Sequence, residues 1–395
     1  MNSTKYICFL IILFCFKLYS QESYPPLDFL NLKENQIKNQ SALIPLFKKL
    51  EKNEKVTILH IGDSHIQADY FTGPIRKNLQ LYFKDSLANR GILCPYQAAK
   101  TNGPDDYSVK LSGNWDFSKL NGKTPDTLMG ISGYKFHTND SVFTIKVKLK
   151  PDSLPNYSFK HISLIGENFP TGIRLSAKSG EKNLLHSYAL KKNSIEIFLG
   201  EYSESLEICL FNNNKDPFTF FGIKTGNGHG RLDYYSVGLN GASASTFLKS
   251  SSYLKEITNQ SPDLLVVSLG TNDIFDPKLK IERRKEDFLK LTQILASNNC
   301  PVLLSCPPDH LRKLKYKNNS LPEFVNFINK LADNNVAVWD LYHVMGGDGS
   351  MDTWYKNKLA WKDKVHYTKQ GYHLQAELFT SAFINAFENT VYGNN

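Results

Sequence analysis

Gly62-Asp63-Ser64-His65 directly follows the apolar run Val56-Thr57-Ile58-Leu59-His60-Ile61. A serine hydroxyl becomes a useful nucleophile when a base takes its proton, and the base needs a fixed tautomer and a charge partner. Asp363-Lys364-Val365-His366, near the end of the chain, places an acid three residues before a histidine, so one loop can supply base and orienter together. Gly270-Thr271-Asn272-Asp273 follows Leu264-Leu265-Val266-Val267-Ser268-Leu269. An Asn side chain there can donate to a developing oxyanion. Gly241, within Val237-Gly238-Leu239-Asn240-Gly241-Ala242-Ser243, permits close approach, and its backbone N–H can donate beside that of Ser64. The chemistry these types allow is acyl transfer through a serine. Taken singly each block is weak, since a serine in such a turn is more often a helix cap or a loop hydroxyl.

The surrounding pattern supplies elements to hold them. The run before Ser64 reads as a buried parallel strand, and Phe71, Ile75, Leu79 and Phe83 at four-residue spacing read as a helix. Ser64 then sits at the C-terminal edge of a parallel sheet, where α/β enzymes place their sites. Thr368 is expected to open a helix with Leu374, Leu378, Ala382 and Ala386 on one face. Phe288, Leu291 and Leu295 form another helical stripe, followed by the strand-like Pro301-Val302-Leu303-Leu304-Ser305. Ser320-Leu321-Pro322-Glu323 has capping-box spacing before a helix carrying Phe324, Phe327, Ile328 and Leu331. Val336-Ala337-Val338-Trp339-Asp340 is the next strand. With the runs before Ser64, Gly241 and Gly270 this makes five strands, enough for a flavodoxin-like parallel sheet.

About 175 residues separate Ser64 from Gly241, far more than a βαβ crossover needs. From roughly Pro104 to Arg231 the pattern shortens to alternating strands: Val142–Lys150, Lys160–Ile165, Gly172–Ser176, Ser194–Leu199, Leu206–Leu210 and Phe218–Ile223. Pro151-Asp152, Ser179-Gly180 and Asn212-Asn213-Asn214 punctuate them as turns. Such spacing reads as a β-sandwich or jelly roll inserted into the α/β unit, its two ends adjacent. No internal repeat or low-complexity linker is visible.

The four blocks in this order resemble the SGNH, or GDSL-like, hydrolase superfamily, at Ser64, Gly241, Asn272 and His366. His65 stands where GDSL enzymes carry Leu, which leaves the nucleophile untouched. The resemblance implies an α/β fold, a flavodoxin-like three-layer sandwich with a parallel sheet. It also implies a catalytic triad of Ser64, Asp363 and His366, and an oxyanion hole from Ser64, Gly241 and Asn272. No cofactor and no metal are implied. With the inserted β region, the chain is similar to Gram-negative peptidoglycan O-acetylesterases, in which a carbohydrate-binding-like β-sandwich separates the Ser and Gly blocks. Shared residues include Asp69-Tyr70-Phe71-Thr72-Gly73, Arg76, Leu79-Gln80, Tyr367-Thr368 and Gly371-Tyr372. The implied activity is removal of O-acetyl groups from polysaccharide, with O-acetylated peptidoglycan as partner and acetyl-Ser64 as intermediate. A polysaccharide O-acetyltransferase with the same triad, or a non-catalytic glycan-binding protein on a hydrolase scaffold, are the alternatives.

The rest of the chain fits an exported enzyme. Lys5 and the apolar Tyr6–Phe16 read as a signal peptide over residues 1–20, with a cut between Ser20 and Gln21. That run is short for a membrane span, which needs about 20 apolar residues, and no other run qualifies. Expected segments are therefore the signal peptide at 1–20, a first hydrolase part at 21–104, the β insert at 105–231 and a second hydrolase part at 232–395. Location is expected to be periplasmic or secreted, with no integral membrane span after cleavage. The net charge of +9 is diffuse, and no nucleic-acid motif accompanies Arg283-Arg284-Lys285 or Lys313–Lys317. Cys94, Cys209, Cys300 and Cys306 lack zinc or redox spacing and read as small apolar fillers. His65 reads as a wall of the site, Asp63 and Asp273 as turn-fixing acids, and Asn227-Gly228-His229-Gly230 as a turn. Trp115, Trp354 and Trp361 are candidates for stacking on sugar rings.

Overall fold

A computed structural model describes residues 24–122, 128–150, 155–170, 172–276, 278, 280–297 and 300–393. The signal-peptide segment and the Pro151-Asp152 turn lie outside these residues. The runs around the reactive blocks build one sheet. Its strands are β1 (Ile37–Lys38), β2 (Val56–Gly62), β3 (Leu232–Gly238), β4 (Leu264–Ser268), β5 (Val302–Ser305) and β6 (Val336–Trp339). Their spatial order is β1-β6-β5-β4-β2-β3. The five expected strands are parallel, and β1 adds an antiparallel edge to β6 that sequence reasoning missed. Two residues are too few to show periodicity.

Burial on both faces makes these strands nearly continuous in apolar residues. Leu59, Ile61, Leu265, Val267 and Leu304 face helices α4 (Ser251–Asn259), α5 (Ile281–Ala296) and α6 (Leu321–Asn329). Val56, Ile58, Leu264, Val266 and Leu303 face α1 (Ile44–Glu51), α3 (Thr72–Tyr82) and α7 (Lys369–Val391). This is a three-layer α/β/α arrangement. At α7 the Thr368 hydroxyl accepts the Gly371 N–H at 3.2 Å, closing one of the helix's orphan donors. The capping box at α6 does not form. Ser320 is already in helical geometry (φ −83, ψ −13), its hydroxyl makes no cap bond, and Glu323 instead takes Lys285. Among the described residues, no helix is long and apolar enough to cross a membrane.

Between β2 and β3 the chain forms two antiparallel sheets, of five and seven strands. They meet through contacts such as Phe143–Phe218, with ring centroids 4.9 Å apart. Strands Tyr107–Ser112, Asp116–Lys119, Tyr134–Thr138 and His186–Leu190 add to the runs legible in the sequence. Ile92–Leu93 pairs with Phe218–Gly226, so the larger sheet recruits residues upstream of 105. The apolar core runs without a break from these sheets to the α4–α6 face of the central sheet.

A buried polar knot ties the two regions together. Asp69, at φ +60, accepts Arg76 at 2.5 Å, Arg90 at 2.6 Å, Ser236 at 2.8 Å and the Thr72 hydroxyl. Arg90 also pairs with Asp106 at the start of the β region. The two guanidinium side chains are only 2% and 1% exposed. Asp69→Ala would take the close carboxylate from buried Arg76 and leave Arg90 with Asp106 alone, and is expected to cost about 3–5 kcal/mol in urea unfolding. A loss below about 1 kcal/mol, the range of an exposed pair, would mean that water replaces the carboxylate without penalty.

Candidate active site

The strand order places β2 between β3 and β4, so its C-terminal end is where the connections diverge to opposite sides. Ligand sites of open α/β sheets form at such a switch point. Ser64 stands there, first residue of the short helix α2 (Ser64–Gln67) that leaves β2. Gly238, ending β3, lets that helix approach, because a Cβ there would lie 2.1 Å from the Gln67 nitrogen. Gly241 follows β3 and Asn272 follows β4, while the Asp363–His366 turn precedes α7.

Ser64 Oγ lies 2.9 Å from His366 Nε2, and His366 Nδ1 lies 2.9 Å from Asp363 Oδ2. The other Asp363 oxygen accepts the backbone N–H groups of Val365 and His366, at 3.0 and 2.9 Å. One carboxylate therefore shapes the turn and orients the imidazole. Partial burial works against charge on Asp363, but the His366 ring and these N–H groups hold its carboxyl well below the usual range. The same hydrogen bond raises the His366 pKa above 6.5. The side chains of His366 and Asp363 are 36% and 47% exposed, so the relay is open to water.

Among the described residues, the backbone N–H groups of Ser64 and Gly241 make no hydrogen bond. Both residues line one cleft of about 650 Å³ with Asn272, Asp363 and His366. Gly241 has φ +76, a conformation that strains any other residue. Asn272 Nδ2 donates to Asp63 Oδ2 at 3.1 Å and to the Ala242 carbonyl at 2.9 Å. An oxyanion would have to share one of these two hydrogens. Asp63 thus does more than satisfy loop backbone: besides accepting the His65 N–H at 3.0 Å it aims the Asn272 amide. Burial pushes its carboxyl up to about 6, so it holds Asn272 as a carboxylate only above that pH.

The other candidates sort by burial. His65 is buried, with Nδ1 2.9 Å from the Tyr372 hydroxyl, and burial lowers its pKa well below 6.5. Its ring lies behind that of His366, 5.3 Å away between centroids and tilted by 39°, and does not reach Ser64 by any hydrogen bond. Asp273 accepts the Ala244 N–H at 2.9 Å, and burial pushes it up to about 7. Asn227 closes its turn by accepting His229 and Gly230 N–H. Trp354 is core, Trp115 packs on Phe143, and Trp361 alone of the three lines the cleft. The four described cysteines are free. Sequence reasoning missed Tyr70, Asn102, Asn240 and Lys362 as lining residues, because their approach to Ser64 is set by tertiary contacts.

Residues 211–379 match the family model for GDSL-like lipases and acylhydrolases. That stretch carries the signature of a GDSL-like acylhydrolase domain. The match takes in Gly241, Asn272, Asp363 and His366 but begins after Ser64, which the intervening β sheets separate from them in sequence. A solved structure titled as a peptidoglycan O-acetylesterase in action superposes on 89% of this chain and 99% of its own. Its TM-score is 0.71 at 21% identity, which establishes a common fold. An acetyl xylan esterase covers 38% of this chain and 81% of its own at 21% identity and TM-score 0.33. A lipase/acylhydrolase from Enterococcus faecalis covers 38% and 74% at 22% identity and TM-score 0.32. No curated protein matches the chain in sequence.

Two expectations follow from the site geometry. His366 can accept the Ser64 proton only when neutral, and its pKa is raised. Hence kcat/KM for an acetyl ester should fall with decreasing pH around a midpoint above 6.5. A pH–rate profile with its midpoint at or below 6.5 would remove Asp363 as the partner that tunes it. Asn272→Ala should lower kcat by about 10²–10³ with little change in KM, as for loss of one oxyanion donor. A change confined to KM would assign Asn272 to ground-state binding.

Proposed function

We propose that this chain is an exported serine esterase that removes O-acetyl groups from polysaccharide, with peptidoglycan as the glycan. The observation that carries the chemistry is the Ser64–His366–Asp363 relay beside two unbonded backbone N–H groups. The glycan is inferred from the likeness in fold and block order to peptidoglycan O-acetylesterases. The β sheets between the Ser and Gly blocks are read as an insert in the hydrolase, and residues 1–20 as its export signal.

In this reading Ser64 Oγ attacks the acetyl carbonyl carbon as its proton passes to His366 Nε2. Asp363 stabilises the imidazolium, and the N–H groups of Ser64 and Gly241 with the Asn272 amide hold the oxyanion. Collapse breaks the bond to the sugar oxygen, which takes the proton from His366. Water then adds to acetyl-Ser64, giving its proton to His366, and acetate leaves as Ser64 recovers its hydrogen.

The test is acetate release by the purified protein from O-acetylated peptidoglycan and from the same material after base treatment. Release from the first alone, absent in Ser64→Ala, is expected. Turnover of p-nitrophenyl acetate without release from peptidoglycan would keep the acyl chemistry and discard the glycan. Acetyl appearing on an added de-acetylated glycan would make the protein a transferase.

A further inference from the structure

The outer face of the five-stranded sheet carries charge of almost one sign. Its strands lie in the order Lys182–Asn183, Arg174–Ser179, Ser205–Phe211, Val142–Leu149 and Tyr107–Ser112. Alternation sends Val109, Val147, Ala177 and Ile208 into the core. It turns Lys110, Lys146, Lys148, Arg174, Lys178 and Glu207 outward. The whole chain has 47 basic and 38 acidic residues, close to parity. On these strands, among the described residues, the five outward bases meet Glu207 alone.

Pairing within the sheet does not account for them. Lys110 stands directly opposite Lys146, and like charges so placed cost stability. Glu207 lies between Lys146 and Lys178 and takes both, at 3.2 and 2.9 Å. Among the described residues, Lys110, Lys148 and Arg174 make no ion pair. Lysine on an edge strand guards against pairing with another sheet, which is reason enough for Lys110 on the outermost strand. Lys146 and Lys148 are on the next strand in, already paired on both sides, so edge protection gives no reason for them.

Apolar groups share the face. Phe211 stands opposite both Val142 and Arg174, and Val142 is 50% exposed. A soluble acidic polymer gains nothing from such side chains. The boundary between lipid headgroups and acyl chains takes apolar and cationic groups together. We propose that this sheet face docks the protein on an anionic phospholipid surface, its lysines over the headgroup phosphates and Val142 and Phe211 at the interface. Lysine suits that role as a mobile point charge toward phosphate. None of the residues lining the Ser64 cleft lies on these strands, so this docking stands or falls apart from the esterase reading.

The test is co-sedimentation of the intact protein with vesicles of phosphatidylcholine alone or of phosphatidylcholine and phosphatidylglycerol in equal parts. Binding is expected to the mixed vesicles only, falling as salt rises. Lys110→Gln combined with Lys148→Gln should weaken it about 30-fold, about 5-fold for each lysine. The same variant should turn over p-nitrophenyl acetate as before and melt no lower, since a like-charge pair is relieved. Val142→Ser should weaken vesicle binding about 3-fold and leave retention on dextran sulfate unchanged. Equal binding to both vesicle types, binding to neither, or unchanged vesicle binding in the lysine or valine variants would overturn the proposal. Retention on dextran sulfate that mixed vesicles do not displace would overturn it in favour of a soluble acidic polymer. Vesicle binding by a protein inactive on p-nitrophenyl acetate would end the esterase reading and leave this one standing.

Discussion

Ser64→Ala is expected to lower turnover of an acetyl ester by about 10⁴-fold or more while leaving the melting temperature unchanged. The magnitude follows from the step removed: without Oγ there is no acyl-enzyme, and only the oxyanion donors remain to assist attack by water. The fold should not notice, because the hydroxyl's hydrogen bond is to His366 in an open cleft and the change opens no buried cavity. Steady-state kinetics on p-nitrophenyl acetate with a parallel thermal melt measures both halves. A folded variant with near-normal turnover would end the assignment of Ser64 as nucleophile.

Asp363→Asn is expected to cost about 10³–10⁴ in kcat, through the tautomer of His366 more than through lost charge. Asp363 is half exposed, so solvent screens its charge, whereas its geometry is specific. An Asn carbonyl can still accept from Val365 N and His366 N, which turns its NH₂ group toward His366 Nδ1. The imidazole proton must then move to Nε2, facing Ser64, and the ring can no longer accept the Ser64 proton. Because the turn bonds survive, stability should change by less than about 1 kcal/mol, within the range of an exposed pair. Turnover near that of the unaltered protein would leave Asp363 as a loop-shaping residue only.

Much of this architecture was legible because it rests on local physics. Five apolar runs are continuous because both faces of a parallel strand are buried, and the Thr368 cap precedes a helix whose apolar face repeats every four residues. What failed was also local in form but tertiary in cause. Ser320-Leu321-Pro322-Glu323 has the spacing of a capping box, yet Glu323 is taken by Lys285 on the neighbouring helix. The β1 edge is two residues long and exists only because β6 is there to pair with it. Asp69 entered the sequence reading only within the shared run Asp69–Gly73, while in the structure it bridges two arginines, one from α3 and one from the approach to the β sheets.

The Gly62-Asp63-Ser64-His65 turn and its three partner blocks were determined by sequence, since each follows from residue type at the end of a recognisable strand or before a capped helix. Spacing alone does not single out Asp363–His366; the order of the four blocks did. Asp340-Leu341-Tyr342-His343 repeats the Asp-x-x-His pattern of Asp363–His366, and its His343 Nδ1 lies 2.7 Å from Asp340 Oδ2. The fold supplies the physical reason: Asp340 is wholly buried and bonded to Lys38 and Asn329, whereas the turn before α7 brings His366 to Ser64. The same holds for Asp63, whose grip on Asn272 crosses from β2 to β4. Spacing along a chain specifies which groups share an element; which elements share a cleft is settled by sheet order and packing.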